Sequence, residues 1–191
     1  PREPQGVAID HELVLDSDSM LSMIYLPQSL TVLGGGVIAS EYASIFAHLG
    51  VKVTLIDRAP RPLMFMDPEL VDLFLNQFRD QGGVYYGNEE LVSIRWDGVS
   101  QVETKLHSGK IIKSDKVLVA LGRVANTHGL GLETVGIELT ERGHVLVDED
   151  YRTSVPSIYA VGDVIGRPSL AATAMEQGRM AVSHALKMEQ H

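Results

Sequence analysis

The stretch that decides the fold is Leu30-Thr31-Val32-Leu33-Gly34-Gly35-Gly36-Val37-Ile38-Ala39-Ser40-Glu41, with Val51-Lys52-Val53-Thr54-Leu55-Ile56-Asp57 after it. Leu30–Leu33 is a short apolar run of the kind a buried strand makes. Three glycines end it. A helical stretch from Ile38 to Leu49 follows, and Gly50 stands where a left-handed residue ends a helix. Val51, Val53, Leu55 and Ile56 then read as a second strand that ends at Asp57. Strand, glycine turn, helix, strand is the opening unit of a doubly wound parallel sheet.

Gly34, Gly36 and Ala39 fit the Gly-x-Gly-x-x-Gly/Ala dinucleotide fingerprint. The first glycine permits a tight turn, and the second lets backbone approach a pyrophosphate. A small third residue lets helix pack closely on strand. The anion then faces free N–H groups and the positive end of the helix dipole. Asp57 ends the next strand about 20 residues on, where a carboxylate accepts hydrogen bonds from an adenosine ribose. That carboxylate favours NAD over NADP, because a 2′-phosphate beside it meets like charge. Arg58 and Arg61 are positioned to offset this by binding the phosphate, or are simply solvated loop arginines. The residues permit use of both cofactors.

Outward from this unit, a helix is expected over Pro68–Asp80, with Leu70, Leu73, Phe74 and Phe78 on its apolar face, and a third strand at Val84–Tyr86. Val92–Trp96, Val99–Leu106 and Lys110–Ile112 alternate around Asp97-Gly98 and Ser108-Gly109, the pattern of a three-stranded antiparallel meander. Lys116–Leu121 returns to the continuous apolar type and runs into Gly122-Arg123. Val145–Val147 and Ile158–Val161 read as two short strands, the second leading to Gly162-Asp163. A last helix spans about Leu170 to Met188. Asp16-Ser17-Asp18-Ser19 reads as a capped turn into Met20–Tyr25; the glycine and closing glutamate of a calcium loop are missing. The expected fold is an α/β, Rossmann-like three-layer nucleotide domain with an antiparallel meander.

Composition removes other classes. Among 191 residues, 16 are Lys or Arg and 25 are Asp or Glu, for a net charge of −9, which argues against nucleic acid and anionic lipid as partners. There is no cysteine, so a disulfide, a thiolate metal site and a Cys-x-x-Cys centre are all excluded within these residues. The seven histidines form no His-Glu-x-x-His, so no metal site is expected. No hydrolase elbow and no P-loop lysine occur. No apolar run reaches the length of a membrane span, and nothing resembles a signal peptide, so a cytoplasmic location is expected.

Gly34–Glu41, Ala120-Leu121-Gly122-Arg123 with Asn126-Thr127, and Tyr159–Asp163 stand in the order found in flavoprotein disulfide reductases with two dinucleotide-binding domains, and the chain resembles that family. Three longer strings, Asp16–Met23, Glu41–Phe46 and Tyr159–Gly166 with Pro168-Ser169-Leu170-Ala171, resemble its transhydrogenase branch. The resemblance runs from Asp16 to Lys187. It implies a flavoprotein oxidoreductase of the Si-specific type that passes hydride from NADPH through FAD to NAD and lacks its relatives' redox cysteine pair. A dihydrolipoamide dehydrogenase-type reductase, or a nucleotide-binding module without turnover, are the alternatives.

The resemblance also implies that intact members begin with an FAD-binding glycine fingerprint and end with a dimerisation domain, forming a homo-oligomer. This chain is then the middle of such an enzyme, inactive alone. On that basis residues 1–28 link from the FAD-binding part, 29–149 form the NAD(P) domain, and 150–191 return to the FAD domain. By the same resemblance the pyridine nucleotide lies on Gly34, Gly36, Val37, Ile38 and Ala39. Asp57 and Arg58 are at its ribose, and Gly122 offers backbone. Val37 takes the place of a tyrosine gate in some relatives. Glu41 faces the nicotinamide, Gly162 and Asp163 meet the flavin ribityl chain, and Ala171 presents its N–H to flavin O2 at a helix N-terminus. No side chain is assigned a catalytic role.

Overall fold

Side-chain alternation along three neighbouring strands explains the layers of the first part of the chain. In β2 (Ser29–Leu33), Leu30 and Val32 face one way while Leu33 faces the other; β3 (Lys52–Ile56) repeats this with Val53 and Leu55 against Ile56. β8 (Lys116–Val119) divides Leu118 from Val117 and Val119 in the same manner. All these residues are buried, as expected for a parallel sheet covered on both faces. The computed structural model describes every residue except Glu3, Gln5, Arg167 and 189–191. It divides into two compact units, Pro1–Arg123 and Val124–His191.

In the first unit the parallel sheet has five strands in the order β1-β8-β2-β3-β4, with β1 at Val14–Leu15 and β4 at Val84–Tyr86. One face carries α1 (Val37–His48), whose Ala39, Ala43, Phe46 and Ala47 pack on the strands. α2 (Pro68–Asp80) adds Phe78 to that layer. The other face carries the antiparallel sheet of β5 (Leu91–Trp96), β6 (Val102–Leu106) and β7 (Ile111–Ser114), with Val102 and Leu106 buried against it. Thr31 and Ser114 share a buried 2.8 Å hydrogen bond across that junction. The Asp115 carboxylate accepts from the amides of Gln28 and Ser29 at 2.8 and 3.1 Å, which aligns the starts of β2 and β8. The three-layer arrangement with its meander matches the expectation.

Several expected details differ. α2 buries Val71, Leu75 and Phe78, whereas Leu70 and Leu73 are exposed. The buried stripe is set by the Phe78 ring, which lies against Gly83 so closely that a β-carbon there would overlap it. β6 begins at Val102 rather than Val99, because the Asp97 carboxylate accepts from the amides of Val99, Ser100 and Gln101 and draws them into a loop. The turn near Met20 is a 3-10 segment at Ser19–Ser22. The Asp16 carboxylate braces the approach to it, accepting from the Asp18 and Ser19 amides at 3.1 and 2.7 Å and from the Ser19 hydroxyl at 2.7 Å. Residues before Ser29 also contribute structure of their own, since β1 pairs in parallel with β8.

In the second unit, the expected strands at Val145–Val147 and Ile158–Val161 reduce to single bridges, Leu139 with Val145 and Arg152 with Tyr159. The amides nearby bond instead to turn carbonyls, Val145 N to Val164 O and Asp148 N to Arg152 O. Two 3-10 segments, Leu132–Val135 and Gly162–Ile165, and α3 (Ala171–Ala185) complete it. Tyr159 and His184 are hydrogen-bonded at 2.8 Å, and His184 reaches Asp150 at 3.3 Å, tying the end of α3 to the loop.

Candidate nucleotide site

β2 continues through α1 to β3 on one side, while β8 lies on the other, so the order of the sheet reverses at β2. Crevices at the carboxyl ends of such strands are where open α/β sheets bind ligands. Gly34–Gly36 stand at that end of β2, Asp57 at that of β3 and Ala120–Gly122 at that of β8.

The three glycines stand in three different surroundings. Gly34 has φ +115°, and a β-carbon there would overlap the carbonyl oxygen of Ala120, so this glycine lets β2 and β8 close on each other. Gly35 lies beneath Asp57, whose carboxylate oxygen occupies the place a β-carbon would take. Gly36 is exposed, and a β-carbon there would meet nothing within 4 Å. Gly36 also precedes α1, whose start has no side-chain cap and no acidic residue in its first turn. The amides of Val37, Ile38 and Ala39 therefore face the space in front of Gly36 at the positive end of the helix. Ala39 is fully buried against the strands, the small third position of the fingerprint. The Leu63 amide donates to the Gly35 carbonyl at 2.6 Å and bounds the loop from the far side.

Asp57 accepts from its neighbours Arg58 N at 2.5 Å and Ala59 N at 3.4 Å. Tyr85 donates its hydroxyl to the Ala59 carbonyl at 2.9 Å; burial, with the Asp57 charge added, pushes this phenol up, so it remains a donor. Arg58 reaches Glu90 at 3.7 Å, and Arg61 reaches Asp72 at 3.9 Å, so both arginines have acidic neighbours. Gly122, at φ +120°, is exposed and accepts from Arg2 N at 2.9 Å.

Gly34, Gly36, Val37, Ile38, Ala39, Asp57, Arg58 and Gly122 thus share the carboxyl edge of one sheet. Glu41 lies one turn into α1 and, with Ile38, Tyr42 and Arg123, lines an open cleft of about 430 Å³ in the same unit. Gly162, Asp163 and Ala171 belong to the second unit. Gly162, at φ +75°, donates its amide to Gln177 at 2.7 Å and comes within 3.3 Å of Ala174, measured from the position of an added β-carbon. Asp163 is exposed in the following 3-10 turn, and Ala171 opens α3 after an extended Leu170 that provides no side-chain cap. Sequence reasoning passed over Gly35, Leu63, Tyr85 and Glu90. Only Gly35 carried a signal, as the middle of the glycine run. Among the described residues, no His, Asp and Glu cluster suits a metal ion, and no helix is long and apolar enough to cross a membrane.

Residues 2–178 match the family described as pyridine nucleotide-disulphide oxidoreductase. The soluble pyridine nucleotide transhydrogenase of Chromohalobacter salexigens is 49% identical over 95% of this chain, and that of Mycobacterium bovis BCG Pasteur is 45% identical over 97%. The chain spans only 39% of the length of either relative. Among solved structures, LpdA from Mycobacterium tuberculosis superposes with a TM-score of 0.91 at 32% identity, over all of this chain and 41% of its own. The HOCl-induced flavoprotein disulfide reductase RclA from Escherichia coli gives 0.87 at 30% identity, over all of this chain and 44% of its own. With the family pattern covering most of its length, the chain belongs to the pyridine nucleotide-disulphide oxidoreductases.

Proposed function

We propose that this chain is the pyridine-nucleotide-binding part of a flavin-dependent transhydrogenase of the Si-specific type, which moves hydride from NADPH to NAD. The observation that carries the reading is the joint placement of an uncapped helix N-terminus, open space over Gly36 and the Asp57 carboxylate on adjacent strand ends. In this reading the amides of Val37 and Ile38 hold the pyrophosphate and Asp57 accepts from the adenosine ribose. Arg58 meets a 2′-phosphate when NADP is bound, and Gly122 adds backbone contact. Ile38 and Glu41, on the cleft face of α1, orient the nicotinamide end. The chain's own contribution is binding and orientation, which hold the reacting carbon in line for transfer.

Bound FAD supplies the two-electron carrier between the nucleotides. The second unit suits such a group in part: the start of α3 is uncapped and Asp163 is exposed in the 3-10 turn that precedes it, so Asp163 would hold a ribityl hydroxyl and Ala171 N a flavin oxygen. We assign Val124–His191 to the flavin-binding part, with the expected stretch 150–191 as its latter portion, and 29–123 to the nucleotide domain. The 191-residue chain by itself is then expected to bind pyridine nucleotide without turnover. The intact protein is expected to be a homo-oligomer working in the cytoplasm.

Calorimetric titration with NAD and NADP tests the assignment. Asp57→Ala should weaken NAD and spare or improve NADP. Arg58→Ala should do the reverse, by about tenfold or more for a charged hydrogen bond. Equal losses of both nucleotides in each variant would show that these side chains do not read the 2′ position.

A further inference from the structure

The ribose end of the nucleotide site has a second wall. The connection from β4 to β5 is registered on the residues after β3 by three backbone hydrogen bonds: Asp57 N to Tyr86 O at 3.0 Å, Glu89 N to Asp57 O at 3.0 Å, and Asn88 N to Ala59 O at 3.1 Å. Gly87 makes the approach possible, since a β-carbon there would stand 2.6 Å from the Pro60 carbonyl oxygen and 2.9 Å from that of Ala59. Asn88 takes a left-handed φ of +57° to complete the turn. On the far side, His107 N donates to the Glu90 carbonyl at 2.8 Å and Ser108 to the Glu89 carboxylate at 2.8 Å, so the meander holds the connection from behind. Glu90 therefore reaches Arg58 from a backbone fixed on both sides.

We propose that Glu90 is a specificity-determining residue that competes with a 2′-phosphate for Arg58, so that the Gly87–Glu90 connection lowers NADP affinity without touching NAD. This deepens the nucleotide-site reading above and rests on it. NAD has no phosphate at that position and leaves the Arg58–Glu90 pair intact. NADP has to draw Arg58 away from Glu90 before the guanidinium can meet the phosphate. The pair is exposed, with the two side chains 76% and 60% accessible, so the effect is modest rather than decisive.

Glu90→Gln removes the charge and keeps the shape. Titrated at low ionic strength, where exposed charges are least screened, it should tighten NADP about threefold to fivefold and leave NAD unchanged. In an Arg58→Ala background the same change should do nothing to either nucleotide. NADP binding that is unaltered by Glu90→Gln, an equal shift for both nucleotides, or a gain that persists without Arg58 would each overturn the proposal. Wild-type protein that binds neither nucleotide would instead overturn the reading on which it rests.

Discussion

Replacing Gly34 and Gly36 by alanine should separate folding from binding within three residues. At Gly34 the added carbon overlaps the Ala120 carbonyl oxygen and lies 3.1 Å from its carbon. Both atoms are backbone, held by Ala120 N to Leu33 O at 2.9 Å and Gly34 N to Ile56 O at 2.8 Å, so neither can rotate away. A side chain at φ +115° costs about 1–3 kcal/mol, and overpacking adds about 1–3 kcal/mol. The total of about 2–6 kcal/mol is a large share of the stability of an ordinary domain. At Gly36, φ is −81° and ψ −177°, extended backbone that alanine adopts freely, and the new carbon meets nothing. Alanine is a poorer N-cap than glycine, which limits the cost to about 1 kcal/mol. Urea unfolding followed by circular dichroism should show Gly34→Ala with a lowered midpoint and Gly36→Ala close to wild type. Calorimetry should show the opposite ranking: folded Gly36→Ala, and more so Gly36→Val, loses NAD because the side chain fills the space in front of the α1 amides. A folded Gly36→Val with undiminished NAD affinity, or Gly34→Ala within about 1 kcal/mol of wild type, would refute the reasoning.

Two further outcomes are expected. Burial works against the Asp10 and Asp16 carboxylates, but amide and hydroxyl donors outweigh it and hold both below the usual carboxylate range. A folded value below the unfolded one means that their stabilisation is complete above about pH 4 and is lost as pH falls through the folded values. The urea midpoint should therefore drop below about pH 4, and Asp10→Asn with Asp16→Asn should flatten that drop; an unchanged profile would remove the two groups from the account. In the second unit, Gln177→Leu should cost about 1–3 kcal/mol by stranding the buried Gly162 amide, visible as faster hydrogen exchange at Gly162, whereas unaltered exchange there would mean another acceptor takes its place.

The parts of this molecule that were legible in sequence are those decided over a few residues. Leu30–Leu33 into Gly34 and Lys52–Ile56 into Asp57 declare strand, turn and helix by their own periodicity, and the helix expected over Pro68–Asp80 forms over those residues. β1 was not legible because two residues have no period, and Val14–Leu15 becomes a strand only where β8 supplies its partners. Composition does not select the buried face of α2, because Leu70 and Leu73 are as apolar as Val71 and Leu75. What selects between the pairs is the position of Phe78 over Gly83, a contact made after the chain has turned back. Val145 and Ile158 have strand composition, but their neighbours offer turn carbonyls rather than a full ladder.

The same division runs through the site. Gly34, Gly36 and Asp57 belong to a motif because one strand-turn-helix-strand unit places them together at adjacent strand ends. Glu90 belongs to no motif, since what brings it to Arg58 is the register of a different connection on Asp57 and Ala59, made possible by Gly87. On the proposed reading, the dinucleotide site is written in local sequence, while the preference between the two forms of the nucleotide would depend on long-range pairing. A relative that keeps Asp57 and Arg58 but changes the residue at Gly87 should for that reason differ in cofactor preference, because a β-carbon there drives the whole connection off the Ala59 and Pro60 carbonyls and takes Glu90 with it.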